Sequence, residues 1–87
     1  MQLEIQLKPL SEGPVYLQVR QQIEAQIQER RISPGEALPA PAALAQKLSV
    51  DKGEIQRAYY ELEQSGRLRK SVSRDFLGKE RVLYTVV

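Results

Sequence analysis

The 87-residue sequence has no cysteine and no histidine. The chain therefore can form no disulfide, offers no imidazole general base and lacks the ligands of most zinc sites. No apolar run approaches the ~20 residues that a membrane-spanning helix needs. Met1 is not followed by the basic and apolar stretches of a signal peptide. We therefore expect a cytoplasmic protein with no metal, no other cofactor and no membrane partner.

What remains is the composition of one small globular domain. Apolar residues make up 41% of the chain and charged residues 28%, a mixture that excludes a disordered tail. The net charge is only +2 but is unevenly distributed. Residues 67–87 hold six basic and two acidic side chains, whereas residues 1–66 hold seven basic and nine acidic ones. A basic last quarter indicates an anionic partner, usually nucleic acid.

Apolar residues in the first third of the chain recur with two different spacings. Residues 2–7 alternate, which predicts a short strand with Leu3, Ile5 and Leu7 on one face. Pro14 suits the first turn of a helix, and the apolar residues after it recur every four positions. This stripe predicts a helix over residues 14–30, ending in two arginines that complement the helix dipole. The stripe consists of Val15, Val19, Ile23 and Ile27.

Two further helices follow at a short spacing. Apolar residues after a Pro-Gly turn predict helix 2 over residues 41–48. Asp51 and Glu54 have the spacing of a capping box, in which Glu54 reaches back to the cap N–H, so helix 3 is expected over residues 52–65. Gly66 suits the left-handed position after that helix. Its inward face is predicted to hold Ile55, Ala58, Tyr59 and Leu62.

Residues 67–87 return to alternation and predict a β-hairpin that reverses at Gly78-Lys79. The complete order predicts a mainly α single domain, a winged helix-turn-helix with three helices and a C-terminal wing. We divide it into an N-terminal arm (residues 1–12), a three-helix core (residues 14–66) and the wing. The alternating positions of the first wing strand are Leu68, Lys70, Val72, Arg74 and Phe76. The predicted core is Val19, Ile23, Ile27, Leu44, Leu48, Ile55, Ala58, Tyr59 and Leu62.

From Gly13 onward the sequence resembles the DNA-binding domain of the GntR family of bacterial transcription regulators. The matching stretches are Pro14 to Val19, Ile32 to Pro39, Leu44-Ala45, Leu48 to Val50, Arg57 to Glu63 and Gly66. The alternating arm before Pro14 is similar to the branch of the family typified by YtrA. The resemblance implies a winged-helix regulator that binds double-stranded DNA as a dimer and is not an enzyme. Family members usually dimerise through a larger effector domain, and we expect this regulator to lack one.

The sequence departs from the family pattern where the family contacts DNA. Ala40 and Ala42 stand where the family usually has serine and arginine. Lys52 replaces an arginine, which keeps the charge but loses the bidentate guanidinium. Glu54 replaces a threonine with a carboxylate that a phosphate would repel.

The outward face of helix 3 provides the candidate base and phosphate contacts. A glutamine such as Gln56 can pair with adenine, and Arg57 with guanine or phosphate. Gly53 lets the backbone approach DNA closely, and Lys52 adds a cation. The alternative is an ordinary solvated helix face. The remaining outward residues are Tyr60 and Gln64. Tyr60 is expected to pack on a neighbouring helix, and the alternatives are stacking on a sugar or base and a place in a protein interface.

Arg74 and Lys79 flank the hairpin tip and suit phosphate or minor-groove contacts. The alternatives are a solvated loop and an apolar Phe76-Leu77 tip for a protein partner. Two hypotheses follow. The first is a DNA-binding regulator that uses the helix and wing residues named above. The second is a diverged winged helix that serves protein interaction or dimerisation. No nucleophile–base constellation or phosphate loop favours an enzyme. Because one winged helix covers one half-site, we expect a homodimer joined through the N-terminal strand or helix 1.

Overall fold

The computed structural model describes residues 3–87 and contains three helices followed by one antiparallel hairpin. This arrangement confirms the predicted winged helix-turn-helix. No helix within residues 3–87 is long and apolar enough to span a bilayer. The elements are a 3-10 turn at Leu10–Glu12, α1 at Val15–Gln28, α2 at Pro41–Leu48, α3 at Lys52–Gln64, β1 at Leu68–Arg74 and β2 at Glu80–Val86.

The helix boundaries follow the sequence signals to within one residue, except at the end of α1. Pro14 is the N-cap of α1 and the helix stops at Gln28, two residues before the predicted end. Arg30 adopts a left-handed backbone conformation with φ of 59°, which ends the helical path. The two arginines therefore lie beyond the last turn. Gly66 has φ of +81°, as expected for the residue that follows α3.

The predicted N-terminal strand is wrong within the described residues, and Gln2 lies outside them. Residues 3–9 belong to no strand, although their alternation has the predicted effect. Leu3, Ile5 and Leu7 are half-buried against the core, while the residues between them are exposed. A strand needs a neighbouring backbone to complete its hydrogen bonds. Side chains of α1 replace that neighbour here.

Three glutamines on α1 hold this arm through paired hydrogen bonds, which we call the glutamine ladder. Each side-chain amide accepts from one backbone N–H of the arm and donates to the C=O of the same residue. The Gln18 amide pairs with Lys8 at 2.8 and 3.1 Å, Gln22 with Gln6 at 2.8 and 2.7 Å, and Gln26 with Glu4 at 3.1 and 2.6 Å. Gln18 and Gln26 are buried polar residues whose amides are satisfied in this way.

The core lies between the three helices and the base of the hairpin. Seven of the nine predicted core residues are buried, while Ile27 and Leu48 are only partly covered. Five further buried apolar residues were not predicted as core, and four of them lie in the α1–α2 connection and the hairpin, outside the helices from which the predicted core was drawn. They are Ile32, Leu38, Ala45, Leu68 and Val86.

The hairpin is anchored at its base by the connection between α1 and α2. Leu38 N–H donates to the Tyr84 C=O at 2.8 Å, and Val86 N–H donates to the Glu36 C=O at 2.9 Å. The strands pair from Leu68–Val86 at the base to Arg74–Glu80 at the far end. The chain reverses at 75–78, so Phe76 lies in the turn rather than at the predicted alternating strand position.

Tyr59 connects α3 to both of its neighbours. Its hydroxyl donates to the Pro39 C=O at 2.8 Å, and its ring meets the Tyr84 ring edge to face with centroids 4.9 Å apart. Burial, with a smaller contribution from Tyr84, raises the pKa of the Tyr59 hydroxyl far above its usual range. Tyr59 thus fixes α3 against the lead-in to α2 and the hairpin base.

Candidate nucleic-acid interface

The exposed face of α3 begins at a capped N-terminus. Asp51 is the N-cap residue, and its carboxylate accepts from the Gly53 N–H at 3.3 Å. Buried Ile55, Ala58, Tyr59 and Leu62 fix the rotation of the helix about its axis. This rotation exposes Lys52, Gly53, Gln56, Arg57, Tyr60 and Gln64.

The predicted capping box is only half formed, because Glu54 serves another helix. Its Oε2 accepts from the Tyr16 N–H at 2.9 Å, near the N-terminus of α1, instead of from the Asp51 N–H. A carboxylate at this place satisfies one unpaired donor of α1 and complements the positive end of its dipole. Glu54 therefore joins α1 to α3. The sequence signal showed the correct residue type but not its tertiary partner.

Arg57 is exposed but does not extend freely from α3. Its guanidinium lies over the Tyr16 ring, 3.8 Å from the ring centroid, in a cation–π contact. Its Nε is 3.4 Å from Glu61 Oε2. The side chain is still 60% exposed, so an incoming anion can reach it. A direct base contact would require it to leave Tyr16 and Glu61.

Glu61 is shared between two arginines. Its Oε1 also pairs with the Arg20 guanidinium of α1, and Arg20 Nε lies 3.6 Å from Glu24 Oε1, beyond hydrogen-bond distance. Sequence reasoning missed the roles of Tyr16, Arg20 and Glu61. The four-residue spacing of Arg57 and Glu61 was an available signal for part of this network.

The N-terminus of α2 offers no charged or hydroxyl side chain to an anion. Ala40 is the N-cap and makes no side-chain cap hydrogen bond, and Ala42 is exposed. The departures from the family pattern therefore leave a bare helix end at this place.

Arg74 and Lys79 lie at the far end of the hairpin, away from its buried base. Arg74 Nη2 is 2.9 Å from Glu80 Oε1. Lys79 is exposed, and within residues 3–87 no ion pair joins it to an acidic group. The structure thus gathers four of the predicted site residues on α3 and the other two near the hairpin tip. Tyr60 is 58% exposed rather than packed on a neighbouring helix as predicted.

No group of three or more metal-binding side chains is gathered within residues 3–87.

Comparison with known proteins agrees with this geometry. The family model described as "Bacterial regulatory proteins, gntR family" matches residues 15–73. An uncharacterised HTH-type transcriptional regulator, YhcF of Bacillus subtilis, is 36% identical over 64% of this chain and 46% of its own length. The HTH-type transcriptional repressor YtrA of the same organism is 34% identical over 71% of this chain and 48% of its own length. The chain thus spans about half the length of these relatives.

Two solved structures share the fold along nearly the whole chain. YtrA from Sulfolobus acidocaldarius, a GntR-family transcription factor, has a TM-score of 0.69 and 25% identity over 98% of this chain and 80% of its own. The DNA-binding domain of AraR, solved in complex with operator ORX1, has a TM-score of 0.69 and 28% identity over 100% of this chain and 99% of its own. Since the family match covers more than half of the residues, the chain belongs to the GntR family of bacterial regulatory proteins.

Proposed function

We propose that the chain is a transcription regulator that binds double-stranded DNA through α3 and the hairpin. The supporting observation is the exposed polar face of α3, in a fold that aligns along its full length with the operator-bound AraR domain. An α-helix fits the major groove and reads base edges with its N-terminal residues. The role is one of binding rather than catalysis, and the cytoplasm is its expected location.

The roles of the α3 residues follow from their chemistry. Gln56 is proposed to pair with adenine, Lys52 to contact phosphate, and Gly53 to let the backbone approach the groove. Arg57 is proposed to contact phosphate from its place on the Tyr16 ring, or guanine after leaving Tyr16 and Glu61. Its two partners compete with DNA for the guanidinium.

The two hairpin cations differ in how readily they can meet phosphate. Arg74 must exchange its pairing with Glu80, whereas Lys79 has no ion pair within residues 3–87 to give up. Lys79 is therefore the simpler probe of electrostatic binding by the wing.

Fluorescence anisotropy of a labelled duplex, titrated at several salt concentrations, tests the proposal. Each neutralised phosphate contributes roughly −0.9 to the slope of log K against log salt, so Lys52, Arg57, Arg74 and Lys79 together predict a slope of about −3 to −4. Absence of duplex binding at low salt would refute the proposal.

Substitution separates phosphate contacts from base contacts. Lys79→Ala should weaken binding to all sequences alike and reduce the salt slope by about one. Lys8→Ala, which removes an exposed cation from the arm, is the matched control and should leave the slope unchanged. Gln56→Ala should instead change the preference among sequences, by ~1–3 kcal/mol for the lost base contact. Equal effects of the Lys79 and Lys8 substitutions would contradict the proposed role of the wing.

We also propose that the chain binds DNA as a homodimer, because one winged helix covers only one half-site. The arm or the outer side of α1 is the proposed surface for self-association. The glutamine ladder already occupies the backbone groups of Glu4, Gln6 and Lys8, so pairing through the arm would use its other edge. Sedimentation equilibrium that gives only the monomer mass at tens of micromolar would overturn this proposal.

A protein-interaction module is the second candidate function. The observation that favours it is the apolar hairpin tip, where Phe76 is 95% and Leu77 70% exposed. A chain that is folded but binds no duplex at low salt, even after the acidic charge of Glu54 has been removed, would support this candidate over DNA binding.

A further inference from the structure

The hairpin tip presents two large apolar side chains to solvent. Phe76 is 95% exposed and Leu77 is 70% exposed, and they are consecutive in the turn between the strands. Leaving such side chains in water contributes little to the stability of the fold. Adjacent exposed apolar groups at a projecting site are typical of a binding surface.

The backbone of this tip is held in one conformation by its own hydrogen bonds. Asp75 Oδ1 accepts from the N–H groups of Leu77 and Lys79 at 2.9 and 3.0 Å. Gly78, with φ of +82°, donates its N–H to the Asp75 C=O at 3.0 Å. The apolar pair is therefore presented on an ordered turn, which lowers the entropy cost of inserting it into a partner.

Cations precede and follow the apolar pair in the sequence. Arg74 and Lys79 flank it in sequence, and Arg81 follows on β2. Arg74 and Glu80 neutralise each other, and the Asp75 carboxylate accepts from two backbone donors, so Lys79 and Arg81 are the cations here that have no ion pair within residues 3–87. A partner that matches this tip has an apolar layer bordered by negative charge. Stacked bases between two phosphate backbones have this composition.

The length of the hairpin suits the spacing of DNA grooves. Strand β1 has seven residues, Leu68–Arg74, and at ~3.3 Å per residue the tip stands about 20 Å beyond the hairpin base. Neighbouring major and minor grooves are separated by half of the ~34 Å helical turn, about 17 Å. A hairpin of this length is thus long enough to span the distance from a major groove to the next minor groove.

We propose that Phe76 and Leu77 form an apolar wedge that enters the minor groove, unstacks one base step and bends the duplex. This inference rests on the proposed DNA-binding function. Phenylalanine and leucine are among the side chains that open base steps from the minor groove. The wedge selects flexible pyrimidine–purine steps such as TA, because these unstack at the lowest cost. The wing thereby reads the deformability of DNA rather than its base edges.

Two duplexes of equal length test the wedge. The first carries regularly spaced TA steps with 2-aminopurine in place of the adenine, and the second carries the same probe within stiff A-tracts. Fluorescence of 2-aminopurine reports unstacking, and energy transfer between dyes on the duplex ends reports bending. The full chain is compared with the double variant F76A/L77A and with Leu10→Ala, which removes an apolar side chain that is 73% exposed but lies far from the wing in sequence.

The wild-type chain and Leu10→Ala should raise both signals on the TA duplex and change them little on the A-tract duplex. The double variant should keep the salt slope, lose both signals and bind the TA duplex more weakly by roughly fivefold or more. Because both substituted side chains are exposed, its thermal midpoint should match that of the wild type.

Two negative results are distinguishable. A wild-type chain that saturates the duplex without either signal overturns the wedge and leaves the proposed function intact. A wild-type chain that binds no duplex at low salt overturns the proposed function itself. A third result also overturns the wedge. If the wild-type chain binds anionic lipid vesicles, F76A/L77A does not, and neither DNA signal appears, the tip binds a membrane surface instead.

Discussion

At the scale of single residues, Glu54 has two opposing effects. Its carboxylate holds the Tyr16 N–H of α1, yet it stands in the first turn of the helix proposed to approach phosphate. The first effect needs an acceptor of the correct length, and the second depends on charge alone. An amide can replace the acceptor without the charge, so the two effects can be separated by substitution.

Glu54→Gln should tighten duplex binding while it keeps most of the contact with Tyr16. Glu54→Thr, which introduces the family's residue, also removes the charge, but its side chain is too short for the same contact. We expect this variant to lose about 1 kcal/mol of stability, the usual cost of a missing helix cap. Urea denaturation and anisotropy on the two variants measure both effects. Unchanged affinity in Glu54→Gln would show that the carboxylate is not near phosphate.

Tyr59 gives the fold a dependence on alkaline pH. The pKa of its hydroxyl is raised by burial, so the folded chain retains the proton to a higher pH than the unfolded chain does. The stability contributed by this difference is complete below the unfolded pKa of about 10 and is lost progressively as the pH rises above it.

Tyr59→Phe should therefore lose ~1 kcal/mol near neutral pH through the missing bond to the Pro39 C=O, and its stability should fall less steeply above about pH 10. Chemical denaturation from pH 7 upward, with Tyr60→Phe as the exposed control, measures the difference. Parallel curves for Tyr59→Phe and the wild type would contradict the assignment.

At the scale of elements, the alternating pattern of the arm predicted the direction of its side chains but not the partner of its backbone. The alternation of Leu3, Ile5 and Leu7 correctly predicted which side chains turn toward the core, because that depends only on the two-residue period. It could not predict the partner of the backbone. The glutamines of α1 appeared in the sequence as ordinary exposed residues, since their role depends on a segment that is distant in the chain.

Gln26→Leu should release the end of the arm. The substitution leaves the Glu4 N–H and C=O without their partner, so this part of the arm is expected to detach and become hydrated. Hydrogen exchange at the Glu4 amide should accelerate, while amides of α3 remain protected. Gln21→Leu, at an exposed position outside the ladder, is the control. Equal protection of Glu4 in both variants would contradict the ladder.

At the scale of the whole molecule, the three helices were predictable and the connections were not. Leu62 and Ile55 were assigned to the core by helical spacing, whereas Ile32 and Leu38 are buried because the α1–α2 connection folds against the hairpin base. The candidate site likewise has features that helical spacing predicted and features that depend on the packing of distant segments. Exposure of Gln56 followed from the helix rotation, but the pairing of Arg57 with Tyr16 depends on how α1 and α3 cross.

Leu62→Ala should test the cohesion of the whole domain. Leu62 is fully buried, and truncating such a leucine costs ~2–5 kcal/mol, a large part of the stability of a domain of this size. Val72→Ala, at a position that is 55% exposed on the hairpin, should cost far less. Thermal denaturation of both variants supplies the comparison. Similar losses would show that the hairpin is as integral to the fold as the helices.

The glutamine ladder joins a helix and an extended segment whose repeat lengths differ slightly. Four helical residues advance ~6.0 Å, while two extended residues advance ~6.6 Å, so each rung falls out of step by about 0.6 Å. Flexible side chains can absorb this mismatch over three rungs, but a long series would fail. The helix also limits the number of rungs. One four-residue step before Gln18 is Pro14, the N-cap, and one step after Gln26 is Arg30, which lies past the end of α1 at Gln28. The ends of α1 thus limit the ladder to three rungs, and inserting or deleting one residue in the arm would turn Leu3, Ile5 and Leu7 from the core toward water.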